Sequence, residues 1–260
     1  QLAKCDTVKL FSDGGLSSGT AALSIPYRNR HDCGLPRFPA AQLADEVRLI
    51  YDAGLTVAVH SIGDLVIGEL LDAFEACVKR RAPRTDTLAP QRLRIEHFGL
   101  PNAEQLALAH ALGVMTSTQP TFLSDLGDTI LHHLPDALVP QCYPFRAMLE
   151  AGLIVSFSSD GPVVSDINPL IGMQSAVLRR ARSGRVITPE QAIDVRQALW
   201  CFTAGSAIVS GQADRLGQLA PGYLADLAIL SGDPLATPIE KLLEIQVEQT
   251  FVSGRVMYEG

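Results

Sequence analysis

The sequence predicts an α/β fold: part of a TIM-type (β/α)₈ barrel, about strands four to eight with their helices, followed by a small C-terminal β appendage. Three observations carry this. Short apolar strands alternate with amphipathic helical stretches through the first two thirds of the chain, which is the rhythm of βαβ units and a parallel sheet. Polar residues stand at the C-terminal ends of several successive strands, where barrels collect their functional groups. After about residue 210 the rhythm gives way to turn-rich sequence and a hairpin signal.

The strands are read at Thr7–Phe11, Thr56–His60, Leu93–His97, Val114–Thr118 and Ile154–Ser158. Helical patterns lie between them at Ala40–Ala53, Leu65–Lys79, Ala103–Leu112 and Pro144–Ala151. Gly54, Gly113 and Gly152 each follow a helix and precede a strand, where glycine takes the left-handed conformation that ends a helix. No Gly-x-Gly-x-x-Gly follows the first strand, which disfavours the doubly wound dinucleotide-binding alternative. Longer helical stretches are expected at Asp166–Gly184 and Pro189–Val209. The tail then offers Ala225–Leu230 and a hairpin, Val247–Val252 and Arg255–Tyr258, joined by Ser253-Gly254. The expected division is 1–210 for the barrel part and 211–260 for the appendage.

Five units are too few to close a barrel, which takes about 250 residues for eight strands. The chain also opens on Gln1 and enters a strand almost at once. The expectation is a natural protein that continues upstream, with the appendage packing against that missing N-terminal segment and exposed sheet edges covered by it or by another copy in a homo-oligomer.

Composition narrows the function. Of 260 residues, 47% are hydrophobic and 19% charged, which fits a soluble globular chain, and no apolar run reaches membrane-spanning length. A net charge of −7 repels phosphate backbones, so no nucleic-acid partner is expected. The one dense basic cluster, Lys79-Arg80-Arg81 with Arg84, reads as a solvated helix end at the negative pole of the dipole. Five scattered cysteines without Cys-x-x-Cys spacing point to free thiols in a reducing, cytoplasmic setting and away from a cysteine zinc site.

The chemistry sits at the strand ends. His60 shares a strand face with Thr56 and Ala58, and Ser156, Ser158 and Asp160 share another, so these polar faces point into the barrel. His97 closes its own strand. Two imidazoles and a carboxylate at one mouth make a nitrogen and oxygen donor set suited to Zn²⁺, Mn²⁺, Fe²⁺, Ni²⁺ or Co²⁺. Lys9 stands midway along an apolar strand, where a buried ammonium is costly. It either faces solvent at a sheet edge or is carbamylated by CO₂ into an anionic ligand. Asp64 reads as the N-cap of the following helix. Gln119-Pro120 either touches substrate or starts a loop, His132-His133 reads as an irregular solvated segment, and His31 and His110 as exposed or structural.

Taken together, Val-Lys9-Leu-Phe-Ser-Asp13-Gly, Val-His60-Ser-Ile-Gly-Asp64, Arg-Ile-Glu96-His97, Ser-Thr-Gln119-Pro and Ser-Ser-Asp160-Gly-Pro-Val, in this order, resemble the YtcJ-like branch of the amidohydrolase superfamily. This is amidohydrolase family 3, which includes N-substituted formamide deformylases. The tail from Gly217 to Leu230 resembles the family's closing β segment. The resemblance implies a divalent-metal centre, most simply zinc, with Lys9 as the CO₂-derived carbamate that bridges, and His60 and His97 as ligands of the second metal. It implies Asp160 as both ligand and proton shuttle. Asp13, Asp64, Glu96 and Gln119 are the candidates for substrate binding or for support of the ligands. The implied activity is metal-assisted hydrolysis of a C–N bond of the amide type in a small molecule.

One departure matters. The family's His-x-His pair on the first barrel strand has no counterpart in these 260 residues. A chain limited to them is expected to be inactive or impaired. The rival reading is a non-catalytic fragment or subunit of a barrel assembly, acting as a binding or structural module.

Overall fold

The computed structural model describes residues 5–80 and 92–260. Arg81 and Arg84 of the basic cluster lie outside the described residues, while Lys79 and Arg80 end a helix as expected.

Five parallel strands form one sheet in the order of the sequence: β1 (Thr7–Phe11), β2 (Thr56–Ser61), β3 (Leu93–His97), β4 (Met115–Thr118) and β5 (Ile154–Phe157). A doubly wound sheet reverses its strand order at a switch point. This order runs one way, so every connection crosses on the same side, as in a barrel. Among the described residues β1 and β5 are its open edges.

The connections carry α1 (Ala40–Asp52), α2 (Asp64–Arg80), α3 (Ala103–Ala111), α4 (Thr121–His133) and α5 (Phe145–Glu150). Leu43, Val47 and Ile50 of α1 and Ile67, Leu70, Leu71 and Phe74 of α2 are buried at helical spacing. They meet the outer face of the sheet, where Val57, Val59, Ile95 and Val155 are fully enclosed. A capping box of Asn102 and Gln105 starts α3.

Helix α4 corrects the reading of His132-His133 as irregular, because both end a regular helix. Its buried Phe122, Leu123, Ile130 and Leu131 recur at helical spacing, but Ser124, Asp125, Asp128 and Thr129 between them give the segment a polar, loop-like look.

After β5 the long helical stretches break up. The expected Asp166–Gly184 helix is only α6 (Pro169–Leu178), ended by Arg179 at φ 47°. The expected Pro189–Val209 helix is a 3₁₀ turn at Pro189–Gln191, then α7 (Val195–Phe202) and α8 (Ala204–Val209). An Asp194–Gln197 capping box forces the fresh start of α7.

The tail forms a separate antiparallel sheet of β6 (Leu227–Leu230), β7 (Val247–Val252) and β8 (Arg255–Glu259). Ser253 and Gly254 both take positive φ, 50° and 75°, as a two-residue turn between right-twisted strands requires. A 3₁₀ segment, Ile239–Glu244, ties it to the barrel part: Gln174 Nε2 on α6 donates to Ile239 O at 2.8 Å.

Candidate active site

Sheet register builds the site. In parallel strands paired residues share a face. Lys9 pairs with Ala58, and Phe11 pairs with His60, which pairs in turn with Glu96, then Ser117, then Ser156. That row lines the face opposite the helices. Lys9 is exposed on the edge strand, its Nζ 4.9 Å from the centroid of the Phe11 ring.

His97 reaches the same place by another route. Strict alternation puts it with Leu93 and Ile95 on the helix side. It sits instead at φ 71°, followed by Phe98 at 49°, and these left-handed residues turn the ring into the mouth. The His60 and His97 rings stand edge to face, 4.4 Å between centroids. Asp160, at φ 55° just beyond β5, arrives through a similar departure from strand geometry.

Lys9, His60, His97 and Asp160 therefore line one cavity of about 320 Å³. The rest of its wall is largely apolar: Phe11, Leu16, Ile62, Phe122, Leu126 and Val163. Tyr143 completes it.

Both imidazoles are neutral and oriented. His60 Nε2 lies 2.9 Å from Gly14 O, which only accepts, so Nε2 carries the proton. His97 Nδ1 lies 2.7 Å from Gln119 Oε1, and Gln119 Nε2 donates onward to Ser158 Oγ at 2.9 Å, which fixes the amide and makes Nδ1 the donor. That leaves the lone pairs of His60 Nδ1 and His97 Nε2 without a hydrogen bond among the described residues. Burial lowers the pKa of both rings, that of His97 to about 3, with His60 and Lys9 adding to the effect and the Gln119 bond opposing it. Neutral imidazole is the form that binds metal.

Asp13 lies beneath His60. Its carboxylate is fully buried and accepts the main-chain amides of Ala22, Ile62 and Gly63 at 3.0, 3.1 and 2.8 Å. Burial still outweighs those bonds and raises its pKa to about 6. The cradle depends on Gly63, where an added Cβ would lie 1.9 Å from Ala22 O.

Gln119 and Asp13 thus touch the two histidines, Asp13 Oδ1 at 3.5 Å from His60 Nε2. Glu96 and Asp64 do neither. Glu96 pairs with Arg94 Nε at 2.5 Å, deeper in the sheet interior. Asp64 is the first residue of α2, and its carboxylate accepts the amide and hydroxyl of Ser24 on the loop after β1. Sequence reasoning missed Tyr143 and the apolar wall. Their only sequence signal was the amphipathic spacing of α4, which supplies Phe122 and Leu126.

Among the described residues no three His, Cys, Asp or Glu side chains converge closely enough to hold a metal by themselves. Lysine carries no such ligand unless modified, and the chain has no His-x-His. The donor chemistry present, two neutral imidazoles with free nitrogens beside a carboxylate and a lysine, suits a divalent cation but supplies part of a coordination shell.

Similarity to known proteins places the chain in a family. The model of the amidohydrolase family matches residues 1–258. The chain is 28% identical to YtcJ of Bacillus subtilis over 97% of its length and 47% of that protein's. It is 31% identical to the N-substituted formamide deformylase of Arthrobacter pascens, covering 79% of this chain and 37% of that one. Among solved structures, a metal-dependent hydrolase of Pyrococcus horikoshii superposes with a TM-score of 0.76 at 33% identity, over 90% of this chain and 46% of the other. The chain spans about half the length, or less, of the relatives it matches.

Proposed function

From the premise that this chain belongs to the amidohydrolase family, we propose that the whole protein is a metal-dependent hydrolase of an amide-type C–N bond in a small molecule. The observation that carries the reading is the pair of neutral, oriented imidazoles whose free nitrogens share one cavity with Lys9 and Asp160.

In this reading His60 Nδ1, His97 Nε2, Asp160 and a carbamylated Lys9 would hold the cation, zinc or one of Fe, Mn, Ni and Co. Strands of the whole protein beyond these residues complete the shell. The carbamate forms when the neutral Lys9 amine adds CO₂ and releases a proton. The chemistry such a cation would supply is polarisation of a carbonyl and acidification of water near neutral pH. Gly14 O and Gln119 hold the two rings in the tautomers that ligation needs. Asp160 takes a proton from the attacking water as the C–O bond forms, then passes it to the nitrogen as the C–N bond breaks. Amide and water give carboxylic acid and amine. The apolar wall favours substrates with an apolar substituent.

The test is metal analysis and hydrolysis by the complete gene product. We expect bound divalent metal, loss of activity on chelation, and loss of metal in His60→Asn and His97→Asn. Activity that survives full chelation refutes the reading. A second reading, a non-catalytic binding or assembly module, is favoured by the absence of a closed ligand cluster among the described residues. A complete protein that binds metal yet hydrolyses no amide would support it.

A further inference from the structure

Resting on that reading, we propose that the Tyr143 hydroxyl is a catalytic hydrogen-bond donor to the substrate oxygen that becomes negatively charged when the carbonyl is attacked. Tyr143 lines the cavity that His60, His97 and Asp160 share, on a loop between α4 and α5 rather than on a strand. Its side chain is almost wholly enclosed, at 1% exposure. Yet the hydroxyl has no hydrogen-bond partner among the described residues, nor is it one of the buried polar atoms cut off from any accessible space. A buried phenol usually finds an internal partner. This one opens on the cavity instead, and its missing partner is what occupies that space.

The loop is built to hold the ring there. Tyr143 sits at φ 45°, a conformation that a bulky residue adopts only when its surroundings impose it. Its amide donates to Gly99 O at 2.8 Å, just past the His97–Phe98 turn. Its carbonyl accepts Arg179 Nη1 at 2.9 Å, and Cys142 O accepts Arg179 Nη2 at 2.8 Å. The ring stands edge-on to Phe122, which stacks on His97 at 5.8 Å. Tyr143 is thus registered to the histidine turn by both backbone and ring. Burial also keeps the phenol protonated, so it can only arrive as a donor or a neutral acceptor. A fixed donor in a largely apolar cavity stabilises developing charge without reorganising, and removing one such donor typically costs a factor of about 100–1,000 in kcat.

The test is Tyr143→Phe in the complete, metal-loaded protein, assayed with N-substituted formamides and acetamides carrying aryl or alkyl groups. The tetrahedral mimic is the matching N-alkyl phosphonamidate. We expect kcat to fall about 100-fold or more with KM within about threefold, and phosphonamidate affinity to fall in parallel. Metal content and melting temperature stay at the parental values. A kcat within threefold of the parent overturns the assignment. So does an altered acid limb of the pH–rate profile with phosphonamidate affinity unchanged, which would make Tyr143 a partner of Asp160. A metal-loaded parent inert toward the whole panel refutes amide hydrolysis itself, and this role with it.

Discussion

Replacing Arg179 by methionine should destabilise the fold by about 2–5 kcal/mol, and the figure follows from what surrounds the guanidinium. Arg179 is fully buried, and among the described residues it pairs with no carboxylate. It donates to Ile187 O at 2.8 Å, Tyr143 O at 2.9 Å, Cys142 O at 2.8 Å and Thr188 Oγ1 at 2.6 Å. Its own backbone is the left-handed turn that ends α6. Methionine fills most of the volume but returns none of these bonds. Tyr143 O keeps a second donor, the Phe145 amide, while Cys142 O and Ile187 O are left dry. Two orphaned buried acceptors at about 1–3 kcal/mol each give about 2–6. Relief of the guanidinium's own desolvation, which pulls its pKa down to about 10, places the answer below the top of that range. Lysine should not rescue, because one ammonium cannot reproduce the planar fork that spans three carbonyls. Urea unfolding followed by circular dichroism reads the change as a shift in midpoint at constant slope. A loss under about 1 kcal/mol would refute the idea that Arg179 pins this loop.

Three further outcomes are expected. In the metal-free protein His97 has a folded pKa of about 3 against 6.5 unfolded, so its contribution is complete above pH 6.5 and is lost as pH falls toward 3. The stability gap between parent and His97→Gln should therefore shrink by up to about 1.4 kcal/mol per unit across that window, and parallel curves in urea titrations would count against it. The subtraction matters because Asp13, raised to about 6, acts in the opposite direction between 3.8 and 6, gaining stability as pH falls. Gly63→Ala should push Ala22 away and break the Asp13 cradle at a cost of about 1–3 kcal/mol, seen as faster proteolysis of the loop after β1. Gln119→Leu should free the His97 ring and weaken metal binding by the complete protein about 10- to 100-fold, measured by competition with a chelating dye; unchanged affinity would show that the ring is held by Phe122 alone.

The barrel framework was legible because its strands alternate with helices that end on glycine, and β1 and β3 fall on the residues read from sequence. His60 was legible for the same reason: period-two alternation puts it on the inner face, and register with Phe11 and Glu96 keeps it there. His97 was found by motif, and Asp160 by carrying the alternation of β5 past the strand's end at Phe157. Each owes its place to a positive φ that no side-chain pattern encodes, since neither is glycine. The polar insertions in α4 hid a helix whose buried stripe is intact, and with it Phe122 and Leu126 of the cavity wall. Asp64 and Glu96 came from the same motifs, and the partners the structure gives them are local, Ser24 for one and Arg94 for the other. Tyr143 and Arg179 were invisible because their partnership spans 36 residues and uses main-chain carbonyls.

The non-glycine residues forced into left-handed backbone include His97, Phe98, Tyr143, Asp160 and Arg179. Three of these line the cavity, Phe98 adjoins His97, and Arg179 holds Tyr143 in place. Each such conformation costs on the order of 1 kcal/mol or more, so a chain selected for stability alone would have no reason to gather them at one point. The cost is met by ordinary core packing: Phe98 and Arg179 are fully buried, and Gly99, Ile187 and the Cys142–Tyr143 carbonyls close hydrogen bonds around them. What the strain yields is direction. It swings His97 out of the helix-facing row, brings Asp160 to the same cavity, and presents a phenol with nothing to bond but an occupant of that cavity. The same backbone that makes these positions hard to read from sequence is what aims them at a common space.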